Sequence, residues 1–171
     1  YCDEFLKINK KFSFDIIEIH NRPLVLKYLH KRTKSNFILY FHNDPLSMKG
    51  SISIKERENL LQISDKIVFI SKWVKKKFFE GFVEKDSDKT EIIYHSITKQ
   101  KKISKKKKFI TFVGKLNYSK GYDIFRDALT NILNEYKDWK AFSIGDESRK
   151  RPIFNHSRHF ELGFLTHKKV L

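Results

Sequence analysis

The chain has 171 residues, with 36 Lys and Arg against 20 Asp and Glu for a formal charge of +16, and 15 % of its residues are aromatic. Its single cysteine, Cys2, excludes an internal disulfide and fits a reducing compartment; no run approaches the roughly 18 apolar residues of a membrane span, and no signal-peptide pattern is present. The charge invites a nucleic-acid partner, but the basic residues are spread from Lys7–Lys11 to Arg149–Arg151, and most phenylalanines fall inside apolar strand and helix patterns rather than among glycines and basic residues, so none is expected.

Taken in chain order, Phe14–His20 reads as a strand ending in His20, with Asn21 as a helix N-cap ahead of Pro23. Phe37–Phe41 reads as a second strand with the polar tip His42, Asn43 and Asp44. Asn43 and Pro45 on either side of Asp44 are a turn signal, which makes Asp44 structural more often than catalytic. Lys66–Ser71 is a third strand, with Ser71 capping a helix from Lys72. On that helix Val74, Phe78 and Trp73 stand at helical spacing to face a sheet with the lysines in water; alternatively the basic and aromatic residues lie together at an interface. Glu91–Ile97 is a fourth strand, and the polar, strongly charged residues 98–107 read as a linker.

Beyond the linker, Phe109–Val113 has the composition of a buried strand, and Tyr122–Leu133 reads as a helix with Ile124, Phe125, Ala128, Leu129 and Ile132 on one face. Between them Gly114, Lys115, Lys120 and Gly121 occupy a strand-to-helix junction. Amides and the partial positive charge at a helix start favour an anion, Gly114 allows close approach to the main chain, and the two lysines can neutralise a diphosphate; ordinary solvated turn lysines are the alternative. Ala141–Glu147 reads as a further strand turning at Gly145. His156, His159 and His167 have no neighbouring cysteine and no His-x3-His spacing, so no metal site is expected. In an open parallel sheet the chemistry collects at the carboxyl edge of the strands, where His20, His42, Asn43, Asp44 and Ser71 all fall.

The junction at Gly114–Gly121 resembles the "GR(L/F)…KG" element of retaining glycosyltransferases of the glycogen-synthase and mannosyltransferase type, glycosyltransferase family four, which have the GT-B fold. Lys115 stands where arginine is usual, a point charge in place of a bidentate fork. The upstream strands resemble, in the same order, the family's strand with a terminal histidine, its second histidine-tipped strand, its strand-to-helix junction at serine, and the strand before its interdomain linker. In the last of these His95 and Ser96 replace the common Asn-Gly.

The resemblance implies an α/β, GT-B-like chain with parts of two Rossmann-like domains carrying parallel sheets: residues 1–97 from the acceptor-side domain, 98–107 as linker and 108–171 from the nucleotide-sugar donor domain. It implies His42 against the transferred sugar as the catalytic candidate, with Gly114, Lys115, Lys120 and Gly145 at the donor, and His20, Asn43 and Ser71 on the acceptor or sugar side. The donor is then a nucleotide diphosphate sugar and the acceptor a carbohydrate or lipid-linked molecule. Transfer proceeds with retention, without cofactor or metal, in surface polysaccharide or lipopolysaccharide biosynthesis. A cytoplasmic protein, peripheral at an anionic membrane face that attracts its lysines, fits this.

No counterpart of the family's early glycine-rich loop precedes Phe14, and no Glu-x7-Glu element, which in the family binds the donor's sugar and ribose, occurs before Leu171; Glu147 and Glu161 are spaced differently. The expectation is an internal slice, inactive alone. A non-catalytic sugar- or partner-binding remnant is the alternative function.

Overall fold

The structure, a computed structural model, describes residues 1–97, 105–146 and 154–170. The chain forms two compact units, Tyr1–Lys99 and Gln100–Leu171. Most of the expected linker, residues 98–104, lies outside the described residues, as does Glu147.

The first unit is a four-stranded, wholly parallel sheet in the order β1 (Ile16–His20), β2 (Asn36–Phe41), β3 (Lys66–Phe69), β4 (Thr90–Ile92). Parallel neighbours need crossover connections, and helices supply them: α2 (Pro23–His30) between β1 and β2, α3 (Ile54–Ile63) between β2 and β3, and α4 (Lys72–Phe78) between β3 and β4. A further helix, α1 (Cys2–Phe12), precedes β1; sequence analysis assigns no element there, and the helix contributes no fully buried residue. Alternation in β1 buries Ile17 and Ile19, while β3 buries Ile67, Val68 and Phe69 in succession, as a strand covered on both faces does. The core they build includes Leu26, Phe37, Leu39, Phe41, Leu60 and Phe78. Each such side chain taken out of water contributes about 1.5–3 kcal/mol.

The helix starts follow capping chemistry. Ser53 Oγ accepts from Glu56 N at 3.2 Å while Glu56 Oε2 accepts from Ser53 N at 3.0 Å, a capping box for α3. Ser71 Oγ accepts from Val74 N at 3.2 Å and so caps α4, as read from the sequence. On α4, Val74 and Phe78 are buried and Trp73 is exposed, so the sheet-facing stripe is narrower than helical spacing suggested. The cap of α2 departs from expectation: Arg22 occupies that position, and Asn21 lies in the left-handed region at φ 52°. The strand read at Glu91–Ile97 is confined to Thr90–Ile92, with Ile93 N still donating to Phe69 O at 2.9 Å.

The second unit is a three-stranded parallel sheet, β5 (Phe109–Val113), β6 (Lys140–Ile144), β7 (His159–Glu161), in that order. Helix α5 (Tyr122–Glu135) links β5 to β6, and a short α6 (His167–Val170) follows β7. Exposure alternates along β5: Ile110 and Phe112 face α5, while Phe109, Thr111 and Val113 lie on the opposite face and are exposed rather than buried. The buried stripe of α5 is Tyr122, Leu129 and Leu133 with Phe125 beside it; Ile124 and Ala128, expected on that face, are exposed. Arg158 donates to the carbonyls of Leu133, Tyr136 and Trp139, tying the end of α5 to the start of β7.

One charge in the first unit is nearly sealed. Arg57, 2 % exposed, donates to the carbonyls of Ser51, Ile52 and Glu80, joining the loop before α3 to the end of α4, and lies over the Phe82 ring. Burial pushes the guanidinium below its ordinary range, yet Arg remains charged at any working pH. Replacing it with Met keeps volume but orphans three carbonyls, so Arg57→Met is expected to lower the stability of this unit by about 3 kcal/mol. Urea unfolding checks this; a loss under about 1 kcal/mol would mean that water reaches those carbonyls.

Candidate functional site

Parallel pairing brings the carboxyl ends of β1, β2, β3 and β4 to one edge, the edge at which open α/β sheets bind ligands. His20 ends β1, and His42, Asn43 and Asp44 follow β2 directly. His95 stands just beyond β4. His20 Nδ1 lies 2.8 Å from His42 Nε2, and His42 Nδ1 lies 3.0 Å from His95 Nε2. Three histidines from three strand ends thus form a file, with Tyr40 stacked on His20 at 4.6 Å between ring centroids. His20 Nε2 in turn lies 3.8 Å from Glu18 Oε2.

The backbone around His42 is held from both sides. Asn21 Oδ1 accepts from His42 N at 2.7 Å, and Asn21 N donates to Tyr40 O at 2.9 Å, so the left-handed turn at Asn21 serves to clamp the tip of β2. Asp44 Oδ1 accepts from Leu46 N at 2.9 Å and caps the short turn Pro45–Ser47, the structural part read for it in the sequence. Ser71 likewise spends its hydroxyl on the cap of α4. Burial, then the neighbouring His20 and His95, hold the His42 imidazole below its ordinary pKa. A cavity of about 700 Å3 opens beside His20, lined also by Tyr1, Asn21, Arg22 and Val25.

At the carboxyl edge of the second sheet the main chain comes very close to itself. Gly114 N donates to Ile144 O at 2.9 Å, and Gly145 N donates to Gly163 O at 2.8 Å. A Cβ on Gly145 would stand 1.8 Å from the carbonyl oxygen of Gly114, so only glycine fits there, and its φ of 141° is left-handed besides. Gly114, Gly145 and Gly163 therefore form an edge without side chains.

Leu116, fully buried, pins the loop after Gly114 and leaves Lys115 exposed beside it. The expected direct passage into a helix is instead a single 3-10 turn, Tyr118–Lys120, followed by Gly121 at φ 71° and then α5. Lys120 closes that turn, exposed, and neither lysine makes an ion pair among the described residues. Tyr122 Oη donates to Glu161 Oε1 at 3.0 Å, bracing the start of α5 on β7.

The structure brings His20 and His42 together at one sheet edge, with Asn43 following, and Gly114 and Gly145 together at the other, with Lys115 and Lys120 on the loop after Gly114. Sequence reading missed His95, Asn21 as a clamp, and Gly163. A histidine after each of three strands was the signal for the first. No group of three or more His, Cys, Asp or Glu among the described residues has the arrangement to hold a metal ion, and no helix among them is long and apolar enough to cross a membrane.

Among curated proteins, YtcC of Bacillus subtilis (strain 168), a glycosyltransferase by name, is 29 % identical over 146 residues, covering 74 % of this chain and 35 % of YtcC. Spore coat protein SA of the same organism is 27 % identical over 158 residues, covering 81 % of the chain and 41 % of that protein. The chain therefore spans between a third and a half of the length of the curated relatives it matches. No family model matches. Among solved structures, TarM superposes with a TM-score of 0.65 at 12 % identity, over 91 % of this chain and 34 % of TarM. HepE of Anabaena in complex with UDP-glucose superposes with a TM-score of 0.67 at 14 % identity, over 96 % of this chain and 52 % of HepE. The fold is accordingly α/β with parallel sheets, of the kind seen in GT-B glycosyltransferases.

Two outcomes follow from the geometry. Gly145→Ala must displace the Gly114 carbonyl and is expected to cost the second unit about 3 kcal/mol, read as a lowered unfolding midpoint; Gly163→Ala, whose Cβ would meet nothing, is expected to cost less. Because the folded state holds His42 below its unfolded value, the folded state binds fewer protons. That stability is present above the ordinary imidazole pKa of about 6.5 and is lost as pH falls through the depressed folded value. In urea titrations of the first unit, His42→Gln is expected to flatten the acid slope between about pH 7 and about pH 5; an unchanged slope would place the titration elsewhere.

Proposed function

We propose that the chain is part of a glycosyltransferase that moves a sugar from a nucleotide diphosphate sugar onto a carbohydrate or lipid-linked acceptor. The observation that carries this is the side-chain-free edge of Gly114, Gly145 and Gly163, with two exposed lysines that make no ion pair among the described residues, Lys115 and Lys120, on the loop that leaves it. Exposed main chain lets a diphosphate lie close, and the two ammonium groups meet the charge that grows on it as the glycosidic bond to the donor breaks. The kinship with YtcC and the likeness in fold to HepE, solved with UDP-glucose and with UDP and glucose, support that donor class.

In this reading residues 1–97 belong to the acceptor-side domain and 108–171 to the donor domain, and the histidine file centred on His42 lies against the transferred sugar, flanked by His20, Asn43 and Ser71. The transfer retains anomeric configuration and needs no metal or cofactor, and the product is a surface polysaccharide or lipopolysaccharide. Exposed Lys72, Trp73 and Lys76 on α4 support a peripheral station at an anionic cytoplasmic membrane face.

The test is turnover of nucleotide sugars by the full-length protein, with UDP-glucose first. Lys120→Ala is expected to lower kcat by about 10²-fold, the effect of losing one group that stabilises transition-state charge. Unchanged turnover would remove Lys120 from the site.

A further inference from the structure

Both ring nitrogens of His42 are already engaged, Nε2 by His20 and Nδ1 by His95. A neutral imidazole has one donor and one acceptor, so a His42 paired on both sides has none left to offer a substrate hydroxyl. The nitrogens at the ends of the file are His20 Nε2, which faces Glu18 at 3.8 Å, and His95 Nδ1, which has no partner among the described residues. His95 is exposed at the carboxyl edge beyond β4.

Glu18 gives the file a direction. A carboxylate beside His20 Nε2 favours the proton on that nitrogen, which leaves His20 Nδ1 to accept from His42 Nε2–H; His42 Nδ1 then accepts from His95 Nε2–H, and His95 Nδ1 carries the free lone pair. The other charged groups near the file do not reverse this order. Asp44 turns its carboxylate into its own turn, and Arg22, on the wall of the cavity beside His20, is a fixed cation that acts on no ring hydrogen bond.

We propose that Glu18, His20, His42 and His95 form a proton file whose exchanging end is His95 Nδ1, so that His95 is the group presented to the acceptor hydroxyl and His42 is the relay behind it. This rests on the transferase reading above. As the acceptor oxygen bonds to the anomeric carbon of the sugar, the bond from that carbon to the donor's phosphate oxygen breaks and the nucleoside diphosphate leaves with its electron pair; the acceptor O–H bond breaks and its proton goes to His95 Nδ1. His95 Nε2–H passes to His42 Nδ1, and His42 Nε2–H passes to His20 Nδ1. One proton has entered, each ring nitrogen pair still shares one hydrogen, and the single positive charge has moved from His95 to His20, beside the Glu18 carboxylate. The return runs the same way in reverse, and the proton leaves from His95 to solvent.

Two measurements test this, and they fail separately. Ring 15N–1H correlation spectra of the histidine-labelled 171-residue chain read the tautomers directly, without any substrate. His42 and His95 are expected with the hydrogen on Nε2, and both His95→Phe and Glu18→Gln are expected to move the two His42 nitrogens towards averaged shifts. His42 found with its hydrogen on Nδ1, or His42 shifts indifferent to both variants, overturns the file. In the full-length protein His95→Phe is expected to lower kcat by about 10²-fold or more with the donor KM unchanged, and Glu18→Gln to displace the acid limb of the kcat profile. Full turnover in His95→Phe overturns its role at the acceptor, whereas a wild-type protein inactive with every nucleotide sugar refutes the transferase reading, whatever the ring spectra show.

Discussion

Parallel strand pairing is the constraint on which the rest of this molecule depends. A strand that pairs in parallel with its predecessor must be reached by a crossover, so every strand enters its sheet at the same edge and leaves at the same opposite edge. In the first unit this alone places His20, His42 and His95 side by side although up to 75 residues separate them in the chain; in the second it places Gly114, Gly145 and Gly163 together. The helices that make the crossovers also cover the sheet, which is why β3 has no polar face to show.

The two edges are built in opposite ways. At the first, side chains do the work: rings stack and share hydrogens, and a left-handed asparagine holds the middle one by its backbone. At the second, side chains are absent and the main chain itself is the surface, with the charges set around it on a loop that Leu116 anchors. An edge of shared hydrogens suits proton traffic and hydroxyl recognition, and an edge of bare backbone suits a flat or anionic group that must come close. That difference supports the proposed assignment of acceptor to the first edge and donor to the second.

The strands and their tips were legible because apolar runs bounded by polar or turn residues are local facts, and Ser71 declared its helix by type and place. What was not legible depended on the partner. Helix α3 buries only Arg57 and Leu60 fully, with Leu61 and Ile63 packed at the margin, so its run of charged residues shows little period, and the buried arginine is intelligible only once the carbonyls of Ser51, Ile52 and Glu80 surround it. Exposure of Phe109 and Val113 depends on which face of β5 α5 covers, which an unbroken apolar run cannot reveal. His95 was visible only as a departure from Asn-Gly, because the ring it meets belongs to a residue 53 positions earlier. Gly163 was one glycine among six until its carbonyl met Gly145 N.

The crossing of Gly145 over the Gly114 carbonyl has a consequence for how such a protein can change over generations. Gly145 cannot be explored by single substitutions, since any side chain there occupies space already taken by the Gly114 carbonyl. A lineage altering what this edge holds is therefore channelled to its rim, where Tyr118 and Ser119 are exposed beside the two lysines. A change of preference at this edge has to be made in the loop, above a floor that admits no side chain at Gly145.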